Sequence, residues 1–274
     1  MGVRMKFKTE SSKSRIVFFV FFIFVFNFSV FASDVNDINS TAAVGSWKQD
    51  GKAFPKIAFE DAKKTFFDRD NLLLLLMAGG GSIALADRAD DKIAEHFEKH
   101  RSIPRGLDYI TDLVGNPGMH FAATGIWYGI AANKKDDINI QRSWIMFRAL
   151  AVANTATLGL KLIVHNHTPN EHFLAWPSGH TASSFTVASV LDEFYGPKVG
   201  IPAYLAAGFV GYRMMDSGDH WASDVLFGGV LGYVVGHAIA GENKELQIAG
   251  FRIQPLVTTL HDRPSAGVAL AKEF

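Results

Sequence analysis

Trp176-Pro177-Ser178-Gly179-His180-Thr181 is followed about forty residues later by His220-Trp221-Ala222-Ser223-Asp224. Together the strings supply two histidines, a carboxylate and an amide-rich turn, each at the mouth of an apolar stretch. A neutral imidazole can attack phosphorus, which makes His220 the candidate nucleophile and a phosphohistidine its product. Asp224, one helical turn on, would accept the other ring N–H and fix the tautomer. His180 would protonate the leaving oxygen and then activate water. Ser178, Gly179 and the next backbone amides open a helix, where an anion is favoured. Lys161 offers a point charge to a phosphate oxygen. Neither metal nor other cofactor is required, because cationic side chains and amides neutralise the transition state. Each residue also has a plainer reading: a capped helix start, a helix-surface His–Asp pair, a helix-terminal cation. Trp176 and Trp221 read as packing residues. His165, His167, Glu171 and His172 form a loop cluster with no cysteine beside it, and no metal is assigned to them.

These strings resemble the superfamily of type-2 phosphatidic acid phosphatases, bacterial acid phosphatases and vanadium haloperoxidases. Its members carry Lys-x6-Arg-Pro, Pro-Ser-Gly-His and Ser-Arg-x5-His-x3-Asp. The second motif is intact at Pro177–His180, the third keeps His220 and Asp224, and the first keeps Lys161 and Pro169. The resemblance runs from Leu158 to Gly236. It implies an all-α helical bundle and a substrate that is a phosphorylated lipid or a small phosphomonoester. Two family arginines are missing. Thr168 stands at the first position, and counting back from His220 leaves Met214 at the second. One extra residue in the turn Met215–Asp219 would restore Arg213 as a phosphate-binding group, although Asp216 and Asp219 add negative charge. His165, His167 or His172 would offer a compensating donor. A neutral Thr168 hydroxyl is weaker than a bidentate guanidinium. The expected site is therefore active but altered. The alternatives are a degenerate phosphate-binding or envelope-structural protein and, third, a vanadium haloperoxidase, whose trianion would need a richer cationic cradle.

The elements that must position these residues read as helices. Asp70-Asn71 are expected to cap the apolar run Leu72–Ala86, which Gly79-Gly80-Gly81 interrupt. Asp87–Lys99 reads as a charged surface helix. Further apolar helices are expected at His120–Ala132, Ser143–Val164, His180–Phe194, Pro202–Met214 and Val225–Ala240. Leu246–Val257 and Ala266–Ala271 favour strands around a turn at His261–Ser265, a terminal hairpin. The expected domains are a signal peptide at 1–32, a polar linker at 33–55, a phosphatase-like helical domain at 56–242 and a β-prone tail at 243–274.

With 274 residues, 48% hydrophobic, the chain can bury one large core. Its formal net charge is zero, and the basic residues Arg4, Lys6, Lys8, Lys13 and Arg15 crowd the start. The rest is mildly acidic, which argues against nucleic acid as a partner. The basic start, the apolar run from Ile16 and Val30-Phe31-Ala32 match an export signal. Without cysteine there is neither a disulfide nor a lipid-modified cysteine, so the expected location is a bacterial periplasm or envelope, with membrane association. A membrane span needs roughly 20 apolar residues. Leu72–Ala86 and Val225–Ala240 are marginal by that measure, and Arg148 interrupts the stretch before Leu160. The favoured reading is a soluble or membrane-associated bundle, ahead of a six-span protein. In membrane members of the family the motifs face outside; an exported N-terminus and three spans before Lys161 would put the first motif in the cytoplasm.

Overall fold

The computed structural model describes residues 47–241, 247–248, 251–260 and 263–271. The expected signal peptide and most of the expected linker lie outside them. The described helices are α1 (Trp47–Phe67), α2 (Arg69–Arg88), α3 (Asp90–Lys99), α4 (Arg105–Gly115), α5 (Pro117–Lys134), α6 (Asp137–Val164), α7 (Gly179–Tyr195), α8 (Pro197–Asp216) and α9 (Ala222–Ala240). Strands β1 (Gln247–Ile248), β2 (Phe251–Leu260) and β3 (Arg263–Ala271) form one antiparallel sheet in the order β1-β2-β3. Leu260 pairs with Arg263, so β2 and β3 are antiparallel neighbours as expected, and Arg263-Pro264-Ser265, read as part of a turn, belong to β3. The fold is an all-α bundle with a short β tail.

Several boundaries differ from the sequence reading. Helix α1 starts at Trp47, inside the expected linker. The cap of α2 is Asp68, whose Oδ1 accepts from the amides of Asp70 (3.0 Å) and Asn71 (2.9 Å). A carboxylate satisfies those orphan donors best from the position just before the helix. Gly79-Gly80-Gly81 do not break α2; Gly79 and Gly81 instead face Phe227 and Leu226 of α9. The charged segment Asp87–Lys99 is split at Ala89 between the end of α2 and α3. Arg148 does not interrupt α6. Its guanidinium reaches Asp61 of α1, with Nε 2.7 Å from Oδ2, and the 28-residue helix runs on.

Helix α9 is the centre of the bundle, touching α1, α2, α3, α6, α7 and α8. It is apolar all round, as a helix enclosed on every side must be. Leu75, Leu160, Trp176, Phe227, Leu231 and Val234 form the main core around it. The closest seam is between α7 and α9, where Gly228, Gly232 and Gly236 form one ridge. A Cβ at Gly228 would lie 2.6 Å from the Ser178 carbonyl oxygen, and one at Gly236 would lie 2.8 Å from that of Thr186. At Gly232 it would overlap the Ala182 carbonyl. Small residues at this spacing let two backbones touch. Backbone contact therefore fixes how the mouths of α7 and α9, which carry the two strings, stand to each other.

Among the described residues, three helices are long and apolar enough to cross a membrane: Arg69–Arg88, Asp137–Val164 and Ala222–Ala240. Their direction follows from their ends. Asp90, just after α2, meets Ser223 at the start of α9, and Lys161, near the end of α6, meets the loop before α7. Helices α2 and α6 thus run toward the end of the bundle that holds the two strings, and α7 and α9 run away from it.

Candidate functional site

The turn before α7 and the first turn of α9 are joined directly, since the Ser178 amide donates to the Asp224 carbonyl oxygen at 3.1 Å. Ser178 is the N-cap of α7, fully buried, with its Oγ accepting from the Thr181 amide and hydroxyl. A helix start leaves its leading amides, here those of Gly179 and His180, without intrahelical acceptors. Asp224 is buried in the first turn of α9. Its Oδ2 lies 3.1 Å from His220 Nδ1 and accepts from the Trp221 amide at 3.1 Å. That pairing puts the Nδ1 proton on the carboxylate side and leaves the Nε2 lone pair of His220 outward.

His180 is one residue into α7. Its Nε2 is buried with no hydrogen-bond partner and stands 3.5 Å from Asp112 Oδ1. Burial lowers its pKa to about 4; Asp112 and Asp219 oppose the shift, while His220 and Arg213 add to it. The charges that act on His180 therefore belong to the same small space.

Arg213 is only 7% exposed and is fully engaged. Its Nε donates to Asp108 at 2.6 Å, and its Nη1 donates to Asp112 at 2.9 Å and to Asp219 at 2.8 Å. The extra residue between it and His220 brings its guanidinium beside His180, whereas Met214 is buried in the core. Of the two acids expected to crowd the site, only Asp219 does so. Asp216 turns away to accept from the Ser102 and Ile103 amides. Lys161 donates to the Leu174 and Ala175 carbonyls, the latter at 2.9 Å, and its Cε approaches Gly179.

Thr168 does not take an arginine's place. It is buried, and its hydroxyl accepts from the His172 amide within its own loop. His165, His167 and His172 are exposed, with the His167 ring 4.5 Å from that of Phe173. They supply no visible compensating donor. No group of three His, Cys, Asp or Glu side chains is arranged to hold a metal among the described residues. The loop instead clasps the turn before His220: Asn170 donates from its amide to the Gly218 carbonyl and from Nδ2 to that of Ser217. Gly218 sits at φ +75°, in the left-handed region that glycine tolerates. Trp221 Nε1 donates to the His167 carbonyl oxygen, and Trp176 packs on Phe227 while donating to Ser82 Oγ. Both tryptophans hold structure.

The acids Asp90, Asp108 and Asp112 were not singled out in the sequence. Asp90 is buried and accepts from the Ser223 amide at 3.0 Å and from its hydroxyl, capping α9 from outside. Burial raises its pKa against those bonds. Asp108 and Asp112 come from α4, and no local spacing marks them as site residues, because their partner, Arg213, is about a hundred residues away.

Comparison with known proteins bears on the same region. Residues 154–242 match the PAP2 superfamily. The lipid A 1-phosphatase of Porphyromonas gingivalis is 40% identical over 65 residues, which is 23% of this chain and 15% of that protein. The crystal structure of the first transmembrane PAP2 type phosphatidylglycerolphosphate phosphatase from Bacillus subtilis aligns with a TM-score of 0.51 and 18% identity, covering 66% of this chain and all of that one. The crystal structure of LpxE from Aquifex aeolicus aligns with a TM-score of 0.44 and 20% identity, over 52% of this chain and 90% of that one.

Proposed function

We propose that the chain belongs to the PAP2 superfamily, which its residues 154–242 match, and that it is a membrane-associated, exported phosphatase acting on lipid-linked phosphomonoesters or pyrophosphates. The observation that carries this reading is the His220–Asp224 pair set beside His180 and Arg213. His220 Nε2 attacks phosphorus, the ester P–O bond breaks, and the departing oxygen takes a proton from His180. Neutral His180 then removes a proton from water, which attacks the phosphohistidine. The P–N bond breaks, phosphate leaves and His220 is restored. Arg213, Lys161 and the amides of Gly179 and His180 stabilise the charge on the phosphoryl oxygens. Each step is carried by protein groups, with no metal. The basic start and apolar run of 1–32 support export, and the divisions at 32 and 243 are kept as proposed domain limits, while the limit at 56 gives way to one no later than Trp47, so that α1 belongs to the helical domain.

One observation favours a second reading. Arg213 is already neutralised by three carboxylates. A site so arranged also suits a protein that binds phosphate groups without turning them over. Phosphate release from p-nitrophenyl phosphate, phosphatidic acid and undecaprenyl pyrophosphate, with wild type beside His220→Ala, separates the two. Release by wild type that falls at least ~1,000-fold in the variant is the expected result. A folded wild type inactive on all three overturns the enzyme reading in favour of the second.

A further inference from the structure

Helix α4 has its polarity reversed. Its inward row is acidic and polar: Asp108 and Asp112 bind Arg213, Thr111 is buried, and Gly115 packs so closely that a Cβ would lie 2.6 Å from Val210. Its outward row is apolar. Leu107, Ile110, Leu113 and Val114 fall at helical spacing and are exposed, Ile110 at 57% and Val114 at 60%. A solvent-facing helix carries its charges outward; this one carries apolar side chains there and its acids inward.

Two neighbouring features say what covers that face. The segment just before it, Lys99-His100-Arg101-Ser102-Ile103-Pro104-Arg105, holds four basic side chains and no acid; Lys99 pairs with Glu95 and Arg101 with Asp108, both at the surface where an anionic headgroup would compete for the cations, and no ion pair is seen for Arg105 among the described residues. The apolar exposure also continues onto the helices beside α4, through Met119 and Ile126 of α5 and Leu205 and Phe209 of α8. An apolar row with a basic margin is the pattern of a helix lying in a lipid interface, where acyl chains take the row and anionic headgroups the margin.

We propose that α4 docks on an anionic lipid surface through Leu107, Ile110, Leu113 and Val114. The docked face lies back to back with Asp112, whose Oδ1 stands between Arg213 Nη1 and His180 Nε2, where an oxygen of a phosphate group would make the same contacts. Docking thus brings lipid headgroups to the side of the helix from which Asp112 must be displaced. This last link rests on the lipid-phosphatase reading; the docking itself does not.

The absence of cysteine allows a direct test. The full chain carrying Ile110→Cys or Val114→Cys, labelled with an environment-sensitive fluorophore, is combined with vesicles of phosphatidylcholine and phosphatidylglycerol. Quenching by a doxyl-labelled lipid, weak quenching by iodide, and a loss of the lipid signal when phosphatidylglycerol is omitted are the expected results. Strong iodide quenching with no doxyl effect overturns the proposal. Protection from both quenchers that grows with protein concentration also overturns it, assigning the face to a second copy of this chain. In a second arm, Ile110→Asp/Val114→Asp is expected to lower kcat/KM at least tenfold for phosphatidic acid in vesicles and less than twofold for p-nitrophenyl phosphate. Equal losses on both substrates, or none, overturn the proposal. A wild type inactive on both substrates defeats the phosphatase reading instead and leaves docking to be decided by the fluorophore.

Discussion

Asp112 is the residue on which the proposed chemistry of the site turns, since it stands beside the proposed acid and accepts from the Arg213 guanidinium. Its charge raises the pKa of His180 against the larger effect of burial. The free protein therefore holds His180 neutral above about pH 4, and an acid role makes kcat/KM fall as pH rises through that value. Removing the charge with Asp112→Asn moves this fall to lower pH, because the group that favoured the imidazolium is gone. The same change releases Arg213 from one carboxylate, so KM for p-nitrophenyl phosphate is expected to drop roughly tenfold, the scale of one charge-assisted bond. A pH profile of kcat/KM for both proteins checks the shift, and an unmoved profile would remove Asp112 from the proton balance. The histidines, Asp224 and Lys161 were visible in the sequence because their spacing is local: four residues for His220–Asp224, one string for Pro177–His180. Arg213 was visible only as an off-register candidate. Asp90, Asp108 and Asp112 were not, because an acid on a distant surface helix looks like any solvated acid until the fold brings it inward.

Among the elements, periodicity identified the long apolar helices α5 to α9, with α6 beginning six residues and α8 five residues before the expected starts. It missed α4, whose apolar side faces outward and whose ends are marked by Pro104 and Asn116-Pro117. It also read Gly79-Gly80-Gly81 as a break, whereas neighbouring helices override such propensity costs, each roughly 1 kcal/mol. The α7–α9 seam has a sharper consequence. At Gly232 a methyl group meets the Ala182 backbone, which cannot rotate away. Gly232→Ala is expected to destabilise the bundle by about 3 kcal/mol, while Gly208→Ala, where nothing lies within 4 Å, changes the melting temperature little or upward. Thermal unfolding of the two variants compares them directly. The Asp61–Arg148 pair ties α1 to α6. Asp61→Ala leaves a largely buried guanidinium alone and is expected to cost roughly 3 kcal/mol, while Asp61→Leu/Arg148→Met recovers most of it; denaturant midpoints would show whether it does.

For the molecule as a whole, the ends of the helices define two faces. Helix α6 spans roughly 40 Å at 1.5 Å per residue, enough to cross a bilayer. It runs from the end of α5 to the site, so Arg105 and Lys134 belong to opposite ends of the bundle. Single cysteines at these two positions, in sealed vesicles, are expected to react with an impermeant thiol reagent from opposite sides. Labelling of both from the same side would mean that the bundle does not cross. Hydropathy alone understated the length of α6, because Arg148 reads as an interruption until the fold brings Asp61 to its guanidinium. The glycine ridge divides the chain by how freely it can change. Along Gly228, Gly232 and Gly236 the backbones touch, and nearly any larger side chain would part the strings that carry His180 and His220. The helices from α1 to α5 meet the rest through side chains, which can be exchanged in compensating pairs. The match to the superfamily begins at residue 154 and ends at 242, enclosing that ridge and leaving those five helices out. Drift can therefore accumulate in the wrapping, where lipid contact and substrate choice would be decided, while the proposed hydrolytic centre is held in register by the want of a methyl group at each of three glycines.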